Sequence, residues 1–241
     1  MRRIVLTLLT IFAGLLWTAA PAGAQAAAAA TPAKAGTAAN LHFEVDGLAP
    51  PISGRLPSAL AMAAPPGFRM NLDALSKRCT VESAKLNECP QGSLMGNGTL
   101  QVIVTTPDAV REVTIPIQVY LHSNTRILAV AFVFGWRVVP ATLNAAKGIV
   151  MDFDPLPAGP PFANVSYALK RISFDFRAKR VIEKRKVRRV HRKRRVLVVK
   201  RRVDLITNPR TCQGSWALTV GLRFPDGSTA MLPAPTTCTP A

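Results

Sequence analysis

Three short apolar runs, residues 99–105 (TLQVIVT), 113–121 (VTIPIQVYL) and 127–134, follow one another with only Pro107-Asp108-Ala109 and Ser123-Asn124-Thr125 as the tightest breaks between them. Runs of this length, apolar at alternate positions and separated by turn residues, are read as antiparallel strands, because successive side chains of a strand point to opposite faces. They predict a three-strand meander. Pro116 has no N–H to donate, so its strand is expected at a sheet edge or with a bulge.

The same reading places strands at 41–45, 149–153, 165–176, 196–206, 216–224 and 229–232, with Pro225-Asp226-Gly227 as the hairpin turn between the last two. Helical signals are thin: residues 72–76 and 140–147 could each form one turn, and neither sustains a 3.6-residue period. About eight or nine strands in one sheet usually fold over into two packed layers. The expected fold is therefore all-β, an antiparallel two-layer β-sandwich, Ig-like or jelly-roll-like, with a long basic β-hairpin.

The chain starts Met1-Arg2-Arg3, continues apolar from Ile4 to about Ala20, and reaches Pro21-Ala22-Gly23-Ala24-Gln25. A positive start, an apolar core and a small-x-small site predict a Sec signal peptide over residues 1–24, cut after Ala24. The other reading, a membrane anchor, needs roughly 20 apolar residues, and Thr7, Thr10, Gly14 and Thr18 interrupt this run. No later stretch has the length to cross as a helix, so the product is expected to be secreted, extracellular or envelope-associated. Two arginines leave with the signal, and the formal charge of +18 becomes +16. Residues 25–40, rich in alanine, offer little side chain to bury and are expected to form a disordered linker. Residues 41–241 would form the sandwich domain.

Cys79, Cys89, Cys212 and Cys238 are an even set in an exported chain, which favours disulfides. Four cysteines allow three pairings. The local one, Cys79 with Cys89 and Cys212 with Cys238, is preferred because each pair brackets a single loop or hairpin, and each link would stabilise the fold by about 2 to 4 kcal/mol. A zinc site would call for closer ligand spacing, and His42, His122 and His191 are scattered.

The segment Cys79, nine residues, then Cys89-Pro90-Gln91-Gly92-Ser93-Leu94-Met95-Gly96-Asn97-Gly98 resembles the C-x9-C-P-x-x-S-x-x-G-x-G signature of a group of uncharacterised secreted actinobacterial β-sandwich proteins. Leu56-Pro57 and Pro65-Pro66-Gly67-Phe68 stand where that group carries a Leu-Pro-rich stretch. The run Thr207-Asn208-Pro209-Arg210-Thr211-Cys212, with Gly214, Trp216 and Phe224-Pro225-Asp226-Gly227, is similar to its C-terminal end. The resemblance spans most of the mature chain. It implies a secreted β-rich domain with two local disulfides and carries no activity. Read from the residues themselves, Gly96 and Gly98 suit bulge or tight-turn geometry, and Cys89-Pro90 stiffens the loop.

Residues 177–202 hold 15 of the chain's 31 Lys and Arg and a single acid, Glu183. This arm is expected to be a hairpin with a stem of 172–176 against 197–205 and a charged tip, its valines at 181, 187, 190, 196, 198 and 203 being partly strand-spaced. Lys184, Arg185, Lys186, Arg188, Arg189, Arg192, Lys193, Arg194 and Arg195 are the candidate polyanion-binding residues. Two readings of the arm stand: a solvated loop of a high-pI secreted protein with no dedicated ligand, or a binding site whose partner is an anionic cell-wall polymer or lipid. Nucleic acid is not expected in vivo, since no aromatic residue in the arm offers a stacking platform and export separates the protein from it.

No P-loop, dinucleotide fingerprint or G-x-S-x-G motif is present. Ser93 lacks a partner base, His122 near Ser123 is the least implausible base, and Asp152 and Asp154 precede a proline-rich turn they would cap. Asn97-Gly98-Thr99 and Asn164-Val165-Ser166 fit the glycosylation pattern and are expected unmodified. No cofactor or metal is called for. The expected function is that of a secreted, non-enzymatic cell-envelope or extracellular β-sandwich protein whose specific role the sequence does not name, with adhesion to anionic polymers or lipids through the arm as the role its charge suggests. The alternative is a secreted hydrolase of unrecognised type, which would need a concave site with acids of shifted pKa.

Overall fold

The computed structural model describes residues 24–47, 57–72, 75, 77–133, 135–144, 148–152, 164–177, 180–188 and 196–241, the parts of the arm in this set by backbone pairing alone. The described elements are β1 (Gln25–Thr31), β2 (Asn40–Asp46), β3 (Ala59–Ala63), β4 (Arg69–Met70), α1 (Val81–Lys85), β5 (Leu94–Thr105), β6 (Val110–Ser123), β7 (Arg126–Phe132), β8 (Trp136–Asn144), β9 (Gly148–Asp152), β10 (Ser166–Phe176), β11 (Arg180–Arg188), β12 (Val196–Asp204), β13 (Ile206–Thr207), β14 (Ser215–Arg223) and β15 (Thr229–Thr237). The class is all-β and antiparallel. Eleven strands form one sheet in the order β1-β2-β10-β5-β6-β7-β8-β9-β3-β14-β15, while β11-β12 and β13-β4 are separate pairs.

The large sheet curls until its ends meet, so the two layers expected of a sandwich are facing halves of one barrel-like, nearly closed sheet. At the seam the buried Thr236 hydroxyl of β15 donates to the Ala28 carbonyl of β1 at 2.8 Å. Just beyond the strands, the Ala35 amide donates to the Thr239 carbonyl and the Thr239 amide to the Ala33 carbonyl, both at 2.9 Å. The alternation legible in the sequence determines which side faces in. One row across the sheet joins Phe43, Phe174, Gly98, Ile117, Ala131 and Arg137 in register. Phe43 and Phe174 stack within this layer at 6.4 Å. Burying the apolar members of such rows is the main stabilising term, at about 25 cal/mol per Å².

Residues 25–40 are a correction to the expected disordered linker. They supply strand β1, paired with β2 from Gln25↔Asp46 to Thr31↔Asn40, and a loop whose Ala35 and Ala39 are buried with Ala30 against Trp216 and Cys238. Asn208 secures the loop by donating through Nδ2 to the carbonyls of Pro32 (2.8 Å) and Lys34 (3.0 Å). Alanine adds little apolar area, but its small size lets two backbones come close, and the main-chain ladder does not depend on side-chain bulk. Of the expected signal peptide, residues 1–23 lie outside the described residues.

Both disulfides are the local ones, Cys79–Cys89 and Cys212–Cys238. The first closes a loop around α1, whose start is capped by Thr80 accepting from the Ser83 amide at 3.1 Å. This loop covers the outer face of β6 and β7: Cys79 and Ala84 pack on Tyr120, Leu128 and Val130. The expected turn at 140–147 is instead strand through Asn144, where β8 pairs with β7 and β9. Of the expected turn at 72–76, Leu72 and Leu75 are described and both are buried. Pro116 sits in an interior strand, yet β6 pairs with β7 only from Ile117 to Ser123, so the proline falls just past that ladder.

On the outer face of β2 and β10, Arg171 Nη2 lies 2.6 Å from Asp46 Oδ2 and Arg171 Nε 3.6 Å from Glu44. The guanidinium beside Asp46 holds its carboxyl below the ordinary 3.8. A carboxylate whose folded pKa is depressed adds stability above its unfolded pKa and loses it as pH falls through the folded one. The melting-temperature gap between wild type and Asp46→Asn is therefore expected to be widest above the ordinary carboxylate range and to close as pH falls below it through the lowered pKa of Asp46. A gap that stays constant with pH would remove Asp46 from the acid response.

Candidate functional site

The strand directions bring one set of turns to one end of the barrel. Strands β5, β7, β9 and β14 finish there, and β6, β8, β10, β3 and β15 begin there. Among the described residues the interior is open at this end, and a cavity of about 1230 Å³ runs inward from it. Its depth is apolar: Leu100 and Val102 of β5, Ile115 and Ile117 of β6, Ala129 and Ala131 of β7, Val139 of β8, Met151 of β9, and Leu169, Ile172 and Phe174 of β10. Ligand pockets typically span about 300 to 1,000 Å³, so this one exceeds the needs of a compact metabolite.

The inward side chains of β7 that line the cavity are small, Ala129 and Ala131, and Val104 and Tyr167 line it as well. Around the mouth are Ser58, Thr106, Asp108, Arg111, Arg137 and Pro225. Arg111 and Arg137 are exposed, and among the described residues neither side chain makes a hydrogen bond or ion pair. The rim also presents Phe132, 57% exposed, with Trp136 edge-on to it at 5.2 Å.

The basic arm is a two-stranded hairpin, β11 with β12, in continuous register from Arg180↔Asp204 to Arg188↔Val196. Lys184, Arg185, Lys186 and Arg188 lie on β11, whereas Arg189, Arg192, Lys193, Arg194 and Arg195 lie outside the described residues. The expected stem is corrected: Ile172 to Phe176 pairs with β2 and β5 in the large sheet, and 196–204 pairs with 180–188. The reason is hydrophobic: Ile172, Phe174 and Phe176 are buried in the core, where a cationic partner strand could not follow.

The residues weighed for catalysis have structural partners. Ser93 is fully buried and donates to the Pro90 carbonyl at 2.6 Å. His122 Nδ1 lies 2.7 Å from the Cys79 carbonyl, tying the disulfide loop to β6. Asp152 accepts from Arg223 at 2.9 Å, and Asp154 lies outside the described residues. All four cysteines are in the two disulfides.

Sequence reasoning missed Arg111 and Arg137, although a signal was present. In VREVTIPI, Arg111 shares its strand face with Val113, Ile115 and Ile117, and Arg137 shares one with Val139 and Ala141. A cation continuing an inward face at the end of a strand marks the rim of an interior.

Fold and cavity together define an all-β, barrel-like protein with an open apolar interior and two local disulfides. No protein-family model, curated protein or solved structure matches the chain. Among the described residues no helix is long and apolar enough to cross a membrane.

Proposed function

We propose that this is an exported, non-enzymatic protein of the envelope or extracellular space that binds an apolar ligand in its barrel and adheres to anionic polymers or lipids through its arm, residues 177–202. The observation that carries the reading is the open apolar cavity. Protein interiors pack to a density of about 0.74 to 0.76 with few voids larger than a water molecule, so a space of about 1230 Å³ is a feature of the design rather than a packing defect. Two disulfides support an oxidising compartment and hence export through the signal at residues 1–24.

The composition of the arm supports its adhesive role, since residues 177–202 carry 15 Lys and Arg against the single acid Glu183. The hydrolase alternative has less support, since the described lining of the cavity carries one carboxylate, Asp108, and no histidine or cysteine. The carboxyls held below their ordinary pKa, Asp46 and Glu82, do not line it. Kinship with the secreted actinobacterial group is part of the same proposal, resting on the motif from Cys79 to Gly98.

Titration of the protein from Gln25 onward with N-phenyl-1-naphthylamine tests the cavity: saturable, blue-shifted fluorescence is expected, and its absence would overturn the reading. Changing Arg188, Arg189, Arg192, Lys193, Arg194 and Arg195 to serine should leave that uptake intact. The same variant should lose salt-sensitive retention on anionic vesicles, and unchanged retention would remove the arm from the proposal.

A further inference from the structure

We infer that the cavity takes an amphiphile with an anionic head group, its chain in the barrel and its head held at the mouth by Arg111 and Arg137. This rests on the cavity being a ligand site and adds the chemistry of the ligand. Both guanidiniums line the space, both sit at its open end, and among the described residues both lack an ion-pair partner. Arg126 and Arg177 also lack a side-chain partner among the described residues but do not line the cavity, whereas Arg171 is paired with Asp46 and Arg223 with Asp152. Two unneutralised guanidiniums beside an apolar interior match a carboxylate or phosphate attached to a hydrocarbon chain. Arginine presents a planar donor fork to such oxygens, and the bond is stronger where water is partly excluded. Asp108 at the same mouth opposes them, leaving one net positive charge among the three residues. An uncharged amphiphile would fill the barrel but leave the arginines to water, whereas a small anion would meet the arginines and leave the barrel empty.

The test compares cis-parinaric acid at pH 8 with its methyl ester, which has the same chain and no charge. Wild type is expected to bind the acid at least tenfold more tightly. That preference should persist at 0.5 M NaCl and in the arm variant above, which separates the mouth from general attraction by the arm. Arg111→Gln with Arg137→Gln should bring acid and ester to equal affinity without weakening the ester, the lysine pair should keep part of the preference, and Asp108→Asn should enlarge it. Inorganic phosphate and acetate at millimolar concentration should not displace the acid; displacement would mean that the head alone is recognised and would overturn the inference. Equal binding of acid and ester by wild type would overturn the inference and leave the apolar site standing. Binding of neither would overturn both.

Discussion

Replacing Ala131 with phenylalanine is expected to reduce uptake of an apolar probe at least about tenfold, a loss of roughly 1.4 kcal/mol in binding, while leaving the protein as stable as before. Ala131 is buried on β7 between Ile117 of β6 and Arg137 of β8, and its methyl group points into the open interior. In a filled core, adding a ring at such a place typically costs about 1 to 3 kcal/mol through forced rotamers and backbone shifts. Here the ring enters unoccupied space. Probe titration and denaturant unfolding of the same variant read the two quantities separately. Destabilisation of several kcal/mol would mean that the interior is closed in solution, and undiminished uptake would place the probe elsewhere.

Gly148→Ala is expected to be the most damaging single substitution, lowering stability by about 3 kcal/mol or more as conformational strain adds to overpacking. Gly148 opens β9 at φ +99°, a region that side chains rarely adopt, and a Cβ there would overlap the Met62 carbonyl, with the carbonyl carbon 2.7 Å away. Met62 belongs to β3, the strand joining β9 to β14, so the clash falls on the link between two parts of the sheet. Gly227 provides the comparison: its φ is +82°, nothing lies within 4 Å of an added Cβ, and Gly227→Ala should cost about 1 kcal/mol from strain alone. Urea unfolding of both variants checks the difference. Equal losses would show that the close approach of β3 contributes nothing.

The local parts of this fold were legible before the three-dimensional arrangement was known. The meander of β5, β6 and β7, the Pro225-Asp226-Gly227 turn and the pairing of cysteines within single loops all depend on neighbours in sequence. The expected bulge beside the glycine motif is found just before Gly96, where the register of β5 with β6 shifts between Leu94 and Gly96, while Gly98 lies in the regular ladder. The reason for Gly98 was hidden: a Cβ there would meet Phe174 of β10 at 2.8 Å, a contact across more than seventy residues. The Ala-rich start was misread because composition measures apolar area and takes no account of main-chain pairing or of the narrow space beneath Trp216. The cavity was not legible, because inward positions such as Val102 and Ile115 have the same pattern whether the opposite wall touches them or stands away. Only Arg111 and Arg137, cations on otherwise apolar faces, carried a trace of it.

The strand order also bears on how the chain reaches this state. The meander from β5 to β9 can assemble from adjacent segments, but β2 finds one of its partners in β10 and β3 one of its own in β14, each more than a hundred residues away. Non-local pairings of this kind slow folding, because the entropy of closing a long loop must be overcome before the contacts form. A chain delivered from its N-terminus exposes β1, β2 and β3 first and completes their neighbours last. During that interval these strands are open templates for another chain. The arrangement that encloses the interior therefore makes the earliest-delivered strands the most exposed to misassembly, and the alanine methyls of β1 give an intruding chain little apolar surface to hold.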